Sequence, residues 1–314
     1  MAGMWRQVAR LCLRRLALFV AVSVAGALAI GAAPGDPLAD LALTGQASRA
    51  GVEAVRAARG LSDTPRDRIA DALARLARLD LGDSTLHHQP VAPLVLPRLR
   101  RSLTLTVTAL GLAWLLAAAA VLSQVAGRLP ALGPLIGVGM AALQAIPDVV
   151  IAIAVLTILA GAGWTWGLGG QVTSAGMLGG SLVLAMVHLP TAWQHLHVAL
   201  HARLGEPWML GLRARGVPHR RRLWRHAVRA SAAPLLAVAA VGFGTLLSAG
   251  LVVETLFGIP GLGAMMLDAM LARDVPLALG GVMASAAATL AILTLADILA
   301  LRCDPRTQAA GGHA

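Results

Sequence analysis

Long apolar runs separated by short polar segments set the pattern of this chain. Four stretches hold no Asp, Glu, Lys or Arg: Ser102–Gly127, Val149–Ala202, Ala230–Val253 and Val275–Ala296. Runs of about 18 or more apolar residues read as membrane-spanning helices, because a ~30 Å hydrocarbon core takes about 20 residues at 1.5 Å each. The spacing predicts six spans, at Leu16–Ala33, Leu103–Ala126, Leu132–Ala160, Gly176–Leu200, Ala232–Leu256 and Leu277–Leu301. The fold class expected is therefore an all-α membrane protein of about six transmembrane helices; the alternative is a very large soluble core. The first run also admits a second reading. Arg6, Arg10, Arg14 and Arg15, an apolar stretch and the small residues Gly31–Ala33 are the parts of a cleavable signal peptide. The run is longer than a usual signal core, however, and Pro34 sits awkwardly for cleavage.

Composition sharpens this picture. The 314 residues are 57% hydrophobic and 13% charged, against about 25% charged in a typical soluble domain. The net charge is +11, and every basic residue is Arg. Without Lys there is no ordinary Walker-type nucleotide site, which needs one on the phosphates. A basic balance can signal nucleic-acid binding, but much of the Arg flanks apolar runs, which favours a role in topology. Cys12 and Cys303 lie near opposite ends and form neither a disulfide framework nor a metal motif.

The Arg bias orients the spans. Between Arg203 and Arg229 the chain carries Arg203, Arg213, Arg215, Arg220, Arg221, Arg222, Arg225 and Arg229 against Glu206 alone. At ~2.5–3.5 kcal/mol for each Arg at mid-bilayer this segment stays out of the membrane, and the positive-inside rule makes it cytoplasmic. Both termini fall on the same side, as does Arg128. The chain then divides into a cytoplasmic N-terminus with the first helix (1–33), an external segment (34–101), a five-helix core (102–301) with a cytoplasmic loop at 203–231, and a cytoplasmic tail (302–314). In the external segment eight acids nearly balance seven Arg up to Pro97, and Ile69, Leu73, Leu76 and Leu79 predict a short amphipathic helix over Pro65–Leu79. Arg98, Arg100 and Arg101 break the positive-inside pattern and are expected to cap or snorkel at the outer end of the second span.

The cytoplasmic segment Glu206–Ser231 is the most informative. Pro207 can open a helix, Gly216 and Pro218 force a break, and His219–Arg229 resumes with helical spacing. A short helix, a glycine turn and a second helix at the membrane surface would make a rigid knob able to receive force from a separate motor. A basic loop that only sets topology is the other reading. Here a family resemblance enters. The segment resembles the EAA-type coupling loop of ABC importer permeases of the dipeptide/oligopeptide/nickel class, with Glu206, Trp208, Arg213, Ala214, Arg215 and Gly216 in the matching places. Leu210, Gly211 and Leu212 depart from the usual pattern. Other matches follow in order: PGDP at Pro34–Pro37, LDLGDS at Leu79–Ser84, Gln89–Pro90–Val91, VVETLFGIPGLG at Val252–Gly263, LDAMLARDVP at Leu267–Pro276, and Ala296–Asp297 with Asp304–Pro305–Arg306. The resemblance implies a permease of the bacterial inner membrane that pairs with a second permease, binds two ATPase subunits, receives solute from an external binding protein, and holds no cofactor or catalytic group. It leaves the solute open between peptides and nickel or metal complexes.

Three further features invite chemistry. Gly258, Pro260, Gly261 and Gly263 cannot continue a helix, so the fifth span must end near Phe257. With Glu254 they read as an ordered turn near the outer mouth, or else as an ordinary loop. Pro147 should kink the third span, and Asp148 after it is an intramembrane carboxylate, a functional-site hypothesis by default. Asp148 could line the translocation path and favour a cationic group, serve as the coupling carboxylate of an ion-driven secondary transporter, or hydrogen-bond between helices, or the span could start later than Leu132. His188, His195, His197 and His201 suggest a metal, but no HExxH is present and two histidines on one face are too few. Glu254 and Asp297, near span ends, read as structural. Small residues at Gly176 and Gly180, and at Gly242 and Gly244, permit close helix packing.

Overall fold

A computed structural model describes residues 2–31, 74, 81–126, 133–163 and 173–303. Pro34–Pro37, the expected helix at Pro65–Leu79, most of the external segment, Arg128 and the tail from Asp304 lie outside the described residues. Among the described residues the protein is all-α, and the extended pairing is an isolated bridge between Asp83 and Pro90. The helices are α1 (Ala2–Gly31), α2 (Val91–Val125), α3 (Gly133–Ala145), α4 (Asp148–Gly161), α5 (Ser174–Leu204), α6 (Pro207–Ala214), α7 (His219–Leu256), α8 (Leu262–Leu271) and α9 (Val275–Cys303).

Five of these are long and apolar enough to cross a membrane: Ala9–Ala29 within α1, then α2, α5, α7 and α9 up to Arg302. The sixth expected span differs from its prediction. Instead of one kinked helix over Leu132–Ala160, α3 and α4 meet at 101°. Pro147 lacks the N–H that would carry a helix through, and it becomes the N-cap of α4 at φ −59°, ψ 140°. At 13 and 14 residues, the halves are each about 20 Å long, short of a ~30 Å core. Asp148 accordingly opens a helix rather than sitting inside one.

The chain forms two compact units. The first comprises residues 1–13, 103–259 and 289–314. Its main core stacks Leu105, Ala109 and Ala113 of α2, one turn apart, on Ile151 and Val155 of α4, Val183 and Leu184 of α5, and Leu246 and Val253 of α7. Glycines let these helices close up. A methyl at Gly180 would stand 3.0 Å from Val253 Cγ1, and one at Gly244 would stand 3.0 Å from Thr289 Cγ2. A second cluster gathers Val121, Leu196, Leu200, Met209, Leu223 and Ala227.

The second unit comprises residues 14–102 and 260–288. Val91 and Val95 at the start of α2 pack with Leu262, Met265 and Ala269 of α8 and Leu277 and Ala278 of α9. Asp274, fully buried, accepts hydrogen bonds from the Ser84 hydroxyl, the Leu86 N–H (3.0 Å) and the Leu277 N–H (3.1 Å). It thus caps α9 and pins the 84–86 turn beside it, which joins two motifs 190 positions apart in sequence. A buried carboxylate is tolerable only when hydrogen-bonded in this way.

Candidate functional site

Met209 anchors a short, largely exposed helix on the surface of the first unit. Helix α5 ends at Leu204, and Glu206, extended at φ −67°, ψ 146°, is the N-cap of α6 with Pro207 in the first turn. Proline suits that position because its missing N–H would be unpaired there anyway. The Glu206 carboxylate accepts from Arg203 and from the Trp208 indole N–H. After eight residues the Gly216 N–H bonds the Arg213 carbonyl (3.0 Å) and the Val217 N–H bonds the Leu212 carbonyl (3.1 Å). That is a Schellman stop, which requires a left-handed residue at Gly216, found at φ +73°. Pro218 then caps α7, and the His219 ring nitrogen Nε2 lies 2.9 Å from the Val125 carbonyl oxygen.

The expected short helix, glycine turn and second helix are therefore all present, but the second helix is no separate element. From His219 it runs without interruption to Leu256, with one π-helical stretch at Arg222–Ala227. Met209, 1% exposed, pins α6 into the second cluster, and Leu212 packs against the same cluster. Trp208, Leu210, Arg213, Ala214, Arg215 and Gly216 are exposed. Of the three residues that depart from the family pattern, Leu212 faces inward, whereas Leu210 and Gly211 are exposed and alter the outer face.

The other glycine-rich turn repeats this device. At the end of α7 the Ile259 N–H bonds the Glu254 carbonyl (2.8 Å) and the Gly258 N–H bonds the Thr255 carbonyl (3.4 Å), with Gly258 at φ +61°. Glu254 is buried. In the second unit, Arg101 donates to the Pro260 carbonyl (3.3 Å), and Gly261 caps α8, whose first N–H, from Leu262, bonds the Ser102 hydroxyl (2.7 Å). Gly263 lies within α8. The helix that follows this turn was not legible as an element in the sequence, and neither was Asp274. Its signal was an acid directly before a helix start with proline in the first turn.

Asp148 opens a third place of interest, inside the first unit. A cavity of about 550 Å³ is lined by Asp148, His188, Thr191, His195, Gly242 and Thr245, with apolar side chains of α5 and α7 between them. Sites for small molecules run to about 300–1,000 Å³, mostly apolar with a few convergent polar groups. His188, Thr191 and His195 reach it together because spacings of three and four put them on one face of α5. His188 is 6% exposed, and its Nε2 has no hydrogen-bond partner among the described residues. Its ring lies on Gly242, where a methyl would stand 2.4 Å from His188 Cε1. His197 and His201 stay away from the cavity lining. His197 stacks between His201 and Trp193, with ring centroids 4.0 and 5.0 Å away. Pro147 contributes the break that presents Asp148.

The pattern of the binding-protein-dependent transport system inner membrane components matches residues 116–309. The chain is similar to the dipeptide transport system permease protein DppB of Escherichia coli (strain K12), 32% identical over 45% of this chain and 42% of that protein. It is also similar to a putative peptide transport system permease protein of Brucella suis biovar 1, 29% identical over 87% of this chain and 89% of that protein. The di/tripeptide transport system permease protein DppB of Pseudomonas aeruginosa is 30% identical over 40% of this chain and 38% of that protein. The chain thus spans less than half the length of the Escherichia coli relative it matches.

Proposed function

Because the chain belongs to the family of binding-protein-dependent transport system inner membrane components, we propose that it is one permease half of an ATP-driven ABC importer for peptides. A second permease completes the pore, two ATPase subunits dock on Glu206–Arg222, and an external binding protein delivers the solute. Both termini lie in the cytoplasm, as the Arg bias argues. Peptides are preferred over nickel or metal complexes because the relatives are named for dipeptide and peptide transport.

One observation carries this reading: α6 is a closed, anchored projection. Its buried face is fixed by Met209, its ends are stopped by Pro207 and Gly216, and its outer face offers Trp208, Leu210, Arg213 and Arg215. A projection that must transmit force between subunits needs this combination, whereas a loop that merely sets topology needs only the charge. The Lys-free sequence leaves ATP hydrolysis to other subunits. Ion-coupled transport by this chain alone through Asp148 is disfavoured by the family.

The test is co-purification of the detergent-solubilised chain with its candidate ATPase subunits, comparing the native protein with Gly216→Asp. An aspartate at φ +73° strains the stop and adds an anion to a basic face. The expected result is retention by the native chain and a loss of about tenfold or more in the variant. If neither sample retains an ATPase subunit, the coupling reading falls and ion-driven transport through Asp148 becomes the leading account.

A further inference from the structure

The start of α7 carries charge that the importer reading leaves over. Between Arg220 and Arg229 stand five arginines and no acid, directly before the charge-free run Ala230–Val253. The helix sorts them by face. Leu223, Ala227 and Ser231, four residues apart, are buried, the first two in the cluster that holds Leu196 and Leu200 of α5. Arg221, Arg225 and Arg229 repeat that spacing two positions out of step, and two positions are about half a helical turn. They form a column on the face turned away from the core, and all three are exposed. Trp224 beside them is 54% exposed. Glu206, the acid nearest in sequence, is already taken by Arg203 and the Trp208 indole. Among the described residues neither Arg225 nor Arg229 has an acidic partner. Depth then separates the arginines. At 1.5 Å a residue, Ala230–Val253 covers roughly 36 Å, enough for a ~30 Å hydrocarbon core. Arg229 therefore stands where α7 leaves the hydrocarbon, and Arg225 and Trp224 stand about 6–8 Å farther out. A headgroup layer is about 5–8 Å thick, so these three lie at the depth of the lipid phosphates. Arg220 and Arg221, about 12–14 Å out, are in water, where the ATPase reading uses them.

We propose that Arg225 and Arg229, with Trp224 at their side, hold the phosphate of an anionic phospholipid in the leaflet where α7 enters the membrane. The inference needs only that α7 crosses the bilayer, so it stands apart from the importer reading. Charge complementarity names the occupant. The planar donor fork of Arg matches phosphate oxygens, arginines just outside a span draw anionic lipid, and an exposed indole belongs at headgroup level. A zwitterionic lipid brings the same phosphate with a cation attached, which the column repels. A protein partner arriving from water meets Arg220 and Arg221 first. A topology signal needs the charge, but neither its confinement to one face nor the indole beside it.

The experiment takes the full chain in detergent, titrates it with phosphatidylglycerol or with phosphatidylcholine of the same acyl chains, and counts bound lipid by native mass spectrometry. Arg225→Gln combined with Arg229→Gln is compared with Arg213→Gln combined with Arg215→Gln, which removes the same charge from α6. The native chain and the α6 variant are expected to retain phosphatidylglycerol in preference to phosphatidylcholine. The α7 variant should need about tenfold or more phosphatidylglycerol for the same occupancy. No preference in the native chain overturns the proposal without any variant. An equal loss in both variants also overturns it, since the attraction would then follow net charge alone. ATPase co-purification is read on the same three proteins. If the α7 variant loses the ATPase subunits and keeps its lipid preference, the column is a protein-docking surface and the lipid site falls. Lost lipid preference with the ATPase subunits retained supports the site. Absence of ATPase subunits from all three bears on the importer reading alone.

Discussion

The knob at Pro207–Gly216 and the cavity at Asp148 each depend on a proline and a glycine, but they use the glycine for opposite reasons. Gly216 sits at φ +73° with nothing within 4 Å of where a side chain would stand, so it is needed for its torsion. Gly242 lies in an ordinary helix, and a methyl there would overlap the His188 ring, so it is needed for its absence of volume. The prolines divide the same way. Pro207 starts α6 on a surface and costs nothing, while Pro147 breaks an apolar run and puts an acid at the start of α4. A rigid exposed projection is thus made from backbone geometry, and a polar recess from removed atoms.

Three substitutions sharpen that contrast. The largest effect is expected at Met209, the buried side chain that anchors α6. Met209→Ala should cost about 2–5 kcal/mol, read as a lower unfolding temperature in detergent. ATPase co-purification should be lost with it, and co-purification kept at the lowered unfolding temperature would show that Met209 does not hold the docking face. Next is Gly242→Ala, which overpacks His188 at a cost of about 1–3 kcal/mol but should leave ATPase binding intact. Adding His188→Ala should recover most of that stability, and failure of the recovery would show that the ring is not what Gly242 accommodates. The smallest effect is at Gly211, mid-helix with open space around it. Gly211→Ala should stabilise α6 by about 0.5–1 kcal/mol, with co-purification at least as strong as before. Weaker docking would mean that the partner's backbone approaches at Gly211.

Much of the fold was legible because the membrane simplifies the signal. Charge-free runs gave the spans at α2, α5, α7 and α9, and Gly258 placed the end of α7 correctly at Leu256. The knob was legible for another reason: Pro207, Gly216 and Pro218 are backbone instructions that need no tertiary context. The cavity was only half legible. Asp148 stood out as an acid in an apolar run, and a kink at Pro147 was expected. The 101° angle was not, since a missing N–H dictates that a helix breaks and packing decides by how much. In the sequence His188 is one of four histidines close together. A helix apolar on every side carries no moment to say which face is buried, so its burial against Gly242 had to wait for the packing of α5 on α7. Helix α8 escaped because ten residues between two turns are too few for a convincing period.

The length of α2 also says something about depth. Its 35 residues, with Pro97 inside the helix, trace about 52 Å along the axis, roughly 20 Å more than a hydrocarbon core needs. Arg98, Arg100 and Arg101 lie in its first third, and an Arg at mid-bilayer costs ~2.5–3.5 kcal/mol. The greasy part of the helix therefore has to start after Arg101, which leaves the first three turns standing clear of the membrane. Through the bond from Arg101 to the Pro260 carbonyl, that waterline carries across to the entrance of α8. The three arginines that fit no topology rule thus mark where the charge-free stretch of α2 begins, and the turn at Pro260–Gly261 is tied to that mark.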